Sequence, residues 1–282
     1  MADRVTVAVA QLDAVFGDTK ENGRRIERRL EAAAAAGAAL VVFPECYLTG
    51  YVSDSRVETE QIAIERDGPE LAAVAEACRN LRVHALVGYL EREGDEGNEG
   101  DEGDKVYNAV AIIGPDGPIG TYRKRHLPYM GADRFAESSE EIEPAVFDTA
   151  IGRIGVAICY EIRFPEVMRT LALAGADIIA LPTNWPVQAS ILGDHFTRVR
   201  AAENFVYLLV SNRGDSERGT EFLGKSQIVD PLGEVVASAD RGEALLVTSI
   251  DLQRARDKTI TFQKGEFELS PWRDRRPESY RL

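Results

Sequence analysis

Short apolar runs rich in β-branched residues recur from one end of this chain to the other, and the segments between them carry helical spacings. Arg4 to Leu12 alternates and reads as a strand that ends at a Gly17-Asp18 turn. A helix capped by Asp18 or Thr19 follows, with Ile26 and Leu30 on its apolar face and an alanine run closing at Gly37. Ala39 to Phe43 is then apolar without interruption, as in a strand buried on both faces. A helix opens at Gly68-Pro69-Glu70, with Leu71, Val74, Ala75, Cys78 and Leu81 on one side. Val83 to Leu90, Val106 to Ile113, Ile154 to Ile158, Asp177 to Leu181, Val206 to Ser211 and Leu245 to Asp251 continue the strands. Helices are expected from Pro165 to Ala174 and from Ile191 to Glu203, and a strand pair around the Asp230-Pro-Leu-Gly233 turn. Such alternation predicts an α/β fold, and with no linker or shift of composition a single domain over residues 1–282.

Three segments depart from the pattern. Residues 93–104 are acidic and glycine-rich, so like charges and backbone entropy predict a mobile hairpin loop; the run lacks the ligand spacing of a calcium loop. Ile119 to Pro128 is expected to lead into a long polar loop. The tail from about residue 267 to 282 is polar and arginine-rich without a clear period, suited either to packing on a second subunit or to fraying.

Charge narrows the function. With 33 Lys and Arg against 47 Asp and Glu the formal charge is −14, which argues against nucleic acid and anionic membranes as partners. No leader and no run of membrane length is evident, and the 3 cysteines lack paired or metal-ligand spacing. A cytoplasmic protein without metal or organic cofactor is the expectation.

In α/β sheets ligands gather outside strand ends, and several strand ends here are polar or proline-bearing: Phe43-Pro44-Glu45, Ile158-Cys159 and Leu181-Pro182-Thr183-Asn184. Cys159 falls at a strand-to-helix corner, where backbone N–H groups can stabilise a thiolate or an oxyanion. Taken alone it better suits a buried structural cysteine, since free cysteine is among the most buried residue types. A nucleophilic cysteine needs a base, and the chain has only 3 histidines: His84 in a buried strand, His126 in a basic loop and His195 in a helix. No Gly-x-Ser-x-Gly elbow points to a serine nucleophile. Glu45, projecting from the end of an apolar strand, could act instead if burial raises its pKa; pairing with an arginine is the plainer reading. Lys124 offers a cation for an oxyanion, or merely a solvated surface charge. Cys46 and Cys78 read as packing.

Phe43-Pro44-Glu45, Tyr122-Arg-Lys124-Arg-His126-Leu-Pro128 and Gly155-Val-Ala-Ile-Cys159-Tyr-Glu-Ile-Arg-Phe-Pro-Glu166, in that order, resemble the nitrilase superfamily of carbon–nitrogen hydrolases. Further stretches alike, from Val9-Ala-Gln11 to Asp230-Pro-Leu-Gly233, extend the likeness over nearly the whole chain. The resemblance implies a four-layer αββα sandwich and a homodimer or higher homo-oligomer formed across the helices after Cys159. It also implies catalysis by Glu45 as general base, Lys124 as oxyanion-holding cation and Cys159 as nucleophile. A fourth carboxylate, usually glutamate in the family, would here be Asp133, with Glu137 as competitor. Tyr160 would supply a backbone N–H to the oxyanion, and Tyr51, Tyr129, Asn184 and Trp185 are candidates to bind substrate. Arg163 could meet a substrate carboxylate or pair with Glu166. The Cys-Tyr-Glu-Ile-Arg-Phe-Pro-Glu sequence looks like the branch with ω-amidases and related small-amide hydrolases. The implied reaction releases ammonia and an acid from a small amide through a cysteine thioester. Nitrile or N-carbamoyl substrates are the alternative, and a catalytically idle binding subunit the alternative of another class.

Overall fold

The computed structural model describes residues 4–94 and 104–280. Along the first half run β1 (Arg4–Gln11), α1 (Thr19–Ala35), β2 (Leu40–Val42), α2 (Arg56–Ile62), α3 (Pro69–Leu81), β3 (His84–Glu93), β4 (Lys105–Gly114) and β5 (Gly117–Arg123). The second half holds β6 (Val146–Thr149), β7 (Gly152–Val156), α4 (Pro165–Leu173), β8 (Ile178–Pro182), α5 (Thr197–Asn204) and β9 (Tyr207–Ser211). After these come β10 (Ser216–Glu217), β11 (Thr220–Glu221), β12 (Gln227–Val229), β13 (Val235–Ser238), β14 (Ala244–Asp251), α6 (Leu252–Arg256), β15 (Ile260–Gln263) and β16 (Phe267–Leu269).

Two 6-stranded sheets result, ordered β14-β1-β2-β3-β4-β5 and β13-β12-β9-β8-β7-β6. The middle strands are parallel in both, β1-β2-β3 in one and β7-β8-β9 in the other, and their flanking strands are antiparallel. Parallel neighbours require crossover connections, which α1, α3, α4 and α5 supply.

Side-chain alternation sorts the layers. In the first sheet Val5, Val7, Val9, Leu40, Val42, Leu86, Val110 and Ile112 share one cluster with Ile154, Val156, Ile178 and Leu208 of the second. The intervening residues Ala8, Ala10, Val41, Ala85, Val87 and Ala111 turn the other way, onto Ile26 and Leu30 of α1 and Leu71 and Val74 of α3. Met168, Leu171 and Ala201 bring α4 and α5 onto the second sheet. The layers are thus helix, sheet, sheet, helix: the αββα sandwich. Each large aliphatic side chain buried between them contributes about 1.5–3 kcal/mol of transfer free energy.

Several expectations change. The expected polar loop follows Arg123, but the segment before it adds the edge strand β5, in which Tyr122 buries its ring between the sheets while its strand pairs with β4. Helix α2 was hidden by its polar sequence; Ser55 caps it, accepting from the Glu58 N–H at 3.2 Å. The helix expected from Ile191 begins as a wide π-turn over Leu192–Phe196 and is α-helical only from Thr197. The turn frees the carbonyl of Gly193, which accepts from Thr197 Oγ1 at 3.1 Å and Gln227 Nε2 at 2.7 Å. Within the tail Phe267–Leu269 pairs with β15. The acidic loop falls largely at 95–103, outside the described residues, although Glu93 and Lys105 face each other where β3 and β4 flank it. No helix among the described residues is long and apolar enough to cross a membrane.

Candidate active site

Strand ends deliver the functional groups to one place. Glu45 follows β2, Lys124 is the first residue past β5, Cys159 follows β7 and Asn184 follows β8. Lys124 continues the alternation that turns Tyr122 inward, so its side chain enters the space between the sheets. Its Nζ donates to Glu45 Oε1 and to Asp133 Oδ2, both at 2.7 Å, and the side chains of all three are 0 % exposed. Asn108 of β4 donates from Nδ2 to Glu45 Oε1 and to Asp133 Oδ1, both at 2.8 Å. Tyr51 completes the cluster, its hydroxyl 2.9 Å from Asp133 Oδ2 and 3.0 Å from the carbonyl of Met130. Glu45 Oε2 is buried with no partner.

Cys159 occupies the elbow between β7 and a 3-10 turn over Cys159–Arg163, with φ of 48°, in the left-handed region. A non-glycine residue held there is a strained conformation that recurs at functional turns. Glu161 locks the elbow. Its Oε2 accepts the N–H of Ile158 at 2.8 Å, and its Oε1 accepts from the Tyr122 hydroxyl at 2.7 Å and the N–H of Arg125 at 3.3 Å. One buried carboxylate therefore ties the Cys159 turn to both sides of Lys124. Opposite, Asn184 Nδ2 donates to the Glu45 carbonyl at 2.9 Å.

Electrostatics in this buried cluster follow from burial and pairing. Desolvation raises the pKa of Glu45 above the usual carboxylate value, opposed by the Lys124 ammonium and reinforced by Asp133. For Lys124 burial is the largest influence and disfavours the charge, yet Asp133 and Glu45 outweigh it and hold the ammonium ionised. Burial, and then the Glu45 carboxylate, push the Cys159 thiol well up, against Lys124 and the backbone N–H of Asn184. The resting cysteine is thus a thiol that needs a base, and an unpartnered carboxylate oxygen belongs to a residue in its electrostatic surroundings. Tyr51 likewise stays protonated, raised by burial and then by Asp133 and Glu45, so its hydroxyl remains a donor.

Glu45, Lys124, Asp133 and Cys159 thus come together. Glu137 does not: its carboxylate lies 3.6 Å from Arg56, 44 % exposed. Tyr129, expected as a pocket residue, is 91 % exposed and has no place in the buried cluster, because the turn at 128–131 points it outward. Tyr51 is buried, holding Asp133 through its hydroxyl. Trp185 is buried with its indole N–H unpartnered, as is Asn184 Oδ1, and Tyr160 packs edge-on against Phe164. Arg163 is exposed and forms no ion pair with Glu166 among the described residues. The histidines stand apart: His84 Nδ1 meets the Ala39 carbonyl and His126 Nδ1 meets Glu161. Cys46 is buried beside Leu90 and Phe222, and Cys78 lies on the inner face of α3. Among the described residues no group of His, Cys, Asp and Glu could hold a metal ion.

Sequence reasoning passed over Asn108 and Glu161, although each is a lone polar residue in an apolar run. It also passed over Arg213, whose buried guanidinium holds Glu217 at 2.8 Å while Glu217 Oε2 accepts the N–H groups of Tyr51 and Val52 at 3.0 and 2.6 Å. No local signal separates those two from ordinary loop charges.

The carbon–nitrogen hydrolase family model matches residues 6–258. A protein named nitrilase from Pyrococcus abyssi is 35 % identical, covering 98 % of this chain and 99 % of its own. The chloroplastic omega-amidase of Arabidopsis thaliana is 33 % identical over 88 % of this chain and 68 % of its own length. Among solved structures, a cysteine-to-alanine mutant of the Nesterenkonia AN1 amidase from the nitrilase superfamily superposes with a TM-score of 0.76 at 22 % identity, covering 88 % of this chain and 93 % of that one, a likeness of fold. With its αββα layers and a family match that spans both sheets, this chain belongs to the nitrilase superfamily of carbon–nitrogen hydrolases.

Proposed function

We propose that the protein hydrolyses the carbon–nitrogen bond of a small amide through a thioester on Cys159, releasing ammonia and a carboxylic acid. The observation that carries the reading is Lys124 Nζ bridging Glu45 Oε1 and Asp133 Oδ2 while Glu45 Oε2 is left buried and unpartnered. An ammonium has three N–H groups, so one remains after the two carboxylates are served.

Cys159 Sγ attacks the amide carbon as its proton passes to Glu45 Oε2. The carbonyl oxygen becomes an oxyanion held by the third N–H of Lys124 and the backbone N–H of Tyr160. Glu45 returns the proton to the amide nitrogen, the C–N bond breaks, ammonia leaves and the acyl group stays on sulfur. A water then gives its proton to Glu45 as it attacks the thioester. Collapse of the second tetrahedral species breaks the C–S bond and restores the thiol with the proton from Glu45. Glu45 serves as acid and base in turn, and a carboxyl whose pKa is raised toward neutrality suits both tasks. Asp133, fixed by Lys124, Asn108 and Tyr51, aims the ammonium.

Similarity to an omega-amidase supports an amide substrate, and similarity to a protein named nitrilase keeps nitriles in the comparison. Ammonia release over a parallel panel of short amides, nitriles and N-carbamoyl amines tests the reading. Turnover of amides by the native enzyme is expected, with loss of at least about a thousandfold in Cys159→Ala. Undiminished turnover in Cys159→Ala, or ammonia from nitriles alone, would overturn it.

A further inference from the structure

Glu45, Lys124, Asp133 and Asn108 close a ring of four hydrogen bonds. Lys124 Nζ spans Glu45 Oε1 and Asp133 Oδ2, and Asn108 Nδ2 spans Glu45 Oε1 and Asp133 Oδ1. Lys124 offsets one of the two carboxylate charges in this ring, whereas a neutral amide brings no charge. What the amide brings is direction. Both of its N–H groups are spent on carboxylate oxygens, and the cost is visible at the other end: Asn108 Oδ1 is buried without a partner. A buried unsatisfied carbonyl is unfavourable, and the opposite amide orientation would set that oxygen against two carboxylates.

We propose that Asn108 is a positioning residue for the base: its amide pins Glu45 Oε1 beside Lys124, so that Oε2 alone is presented to the Cys159 thiol. The inference rests on the amidase reading above and adds to it a residue outside the Glu45, Lys124, Cys159 and Asp133 set. With Oε1 accepting from two donors, the carboxylate cannot rotate its free oxygen away without breaking both bonds. The same bond stabilises the ionised form, and so keeps Glu45 from being raised so far by burial that it stays protonated. The other ionisable groups around Glu45 are Lys124 beyond β5, Asp133 in the turn before Arg134, Tyr51 and Cys46 after β2, and Cys159 after β7. Asn108 also accepts the Lys124 N–H through its backbone carbonyl at 2.8 Å, a bond that any side chain at this position preserves.

The test compares native enzyme with Asn108→Leu, similar in size without donors, and Asn108→Asp, which exchanges a donor for a third carboxylate. The pH dependence of kcat/KM is read together with the pH dependence of Cys159 alkylation by iodoacetamide, which requires no turnover. Losing the amide donor should move the acid limb of both profiles up by about one pH unit in Asn108→Leu, and further in Asn108→Asp. At neutral pH kcat should fall roughly tenfold to a hundredfold, with KM within about twofold of native, because Asn108 acts through Glu45 and not on substrate. A role confined to filling space would leave both limbs in place. Unmoved limbs in the folded variants, or a rise in KM with kcat intact, would overturn the proposal. So would collapse of both variants in near-UV circular dichroism, since the proposal gives the side chain no part in holding the strand. Absent amide turnover in the native enzyme would instead sink the amidase reading, and the alkylation profiles would still decide the role of Asn108.

Discussion

At the scale of residues the site is a problem in burying charge. Two carboxylates and one ammonium stand together with no exposed side-chain surface, an arrangement that is costly unless nearly every polar atom is bonded. The exception is Glu45 Oε2, the atom to which the proposed mechanism gives the thiol proton. Because Glu45 must be ionised to accept the thiol proton and burial raises its pKa, kcat/KM should fall as pH decreases through a midpoint above the ordinary glutamate value of about 4.3. A pH profile of the native enzyme checks the sign; a midpoint at or below that value would contradict it. Gly88 shows how closely Glu45 is seated. A Cβ there would stand 2.5 Å from the Cys46 nitrogen and 2.8 Å from the Glu45 Cα, both backbone atoms that cannot step aside. Gly88→Ala should therefore displace Glu45 and lower kcat by about a hundredfold, measured beside its melting temperature to separate displacement from unfolding.

Elements explain which of these residues could be read in advance. Glu45, Cys159 and Asn184 sit at the ends of strands whose apolar runs are plain in the sequence, so their convergence outside the strand ends followed from the pattern. Lys124 was harder, since β5 is a polar edge strand with only Tyr122 to mark its inward face. Asn108 needed the register of β4 against β3 and β5, which side-chain period alone does not fix. Tyr51 was expected beside substrate; its place under Asp133 depends on the loop after β2, held from the far half of the chain by Arg213 and Glu217. Glu161 belongs to this scale as well, because it joins the elbow after β7 to the end of β5. Glu161→Gln keeps the shape but sets an NH2 against N–H and O–H donors. A loss of about 2 kcal/mol in unfolding free energy by denaturant titration, with a lower kcat, is expected. A stability and kcat equal to native would show that the brace is dispensable.

Across the whole molecule the two sheets are built alike, each with three parallel strands in the middle, and Glu45, Lys124 and Cys159 each lie just past a strand end. The resemblance implied the layering, and the alternation in β1 fits it, with Val5, Val7 and Val9 facing the second sheet and Ala8 and Ala10 facing the helices. The substrate was not legible, because pocket shape is set by loops whose turns decide where side chains point, as the outward-facing Tyr129 illustrates. What the architecture accomplishes is to bury Glu45 and Lys124 from one sheet close to the Cys159 thiol of the other. The central consequence is a covalent acyl enzyme at Cys159. Intact and peptide mass spectrometry of the enzyme quenched in acid during turnover of a short amide tests it directly. The account predicts a mass gain equal to the amide less ammonia, carried by the Cys159 peptide and absent from Cys159→Ala; turnover with that peptide unmodified at every quench time, or with the acyl group on another residue, would contradict it.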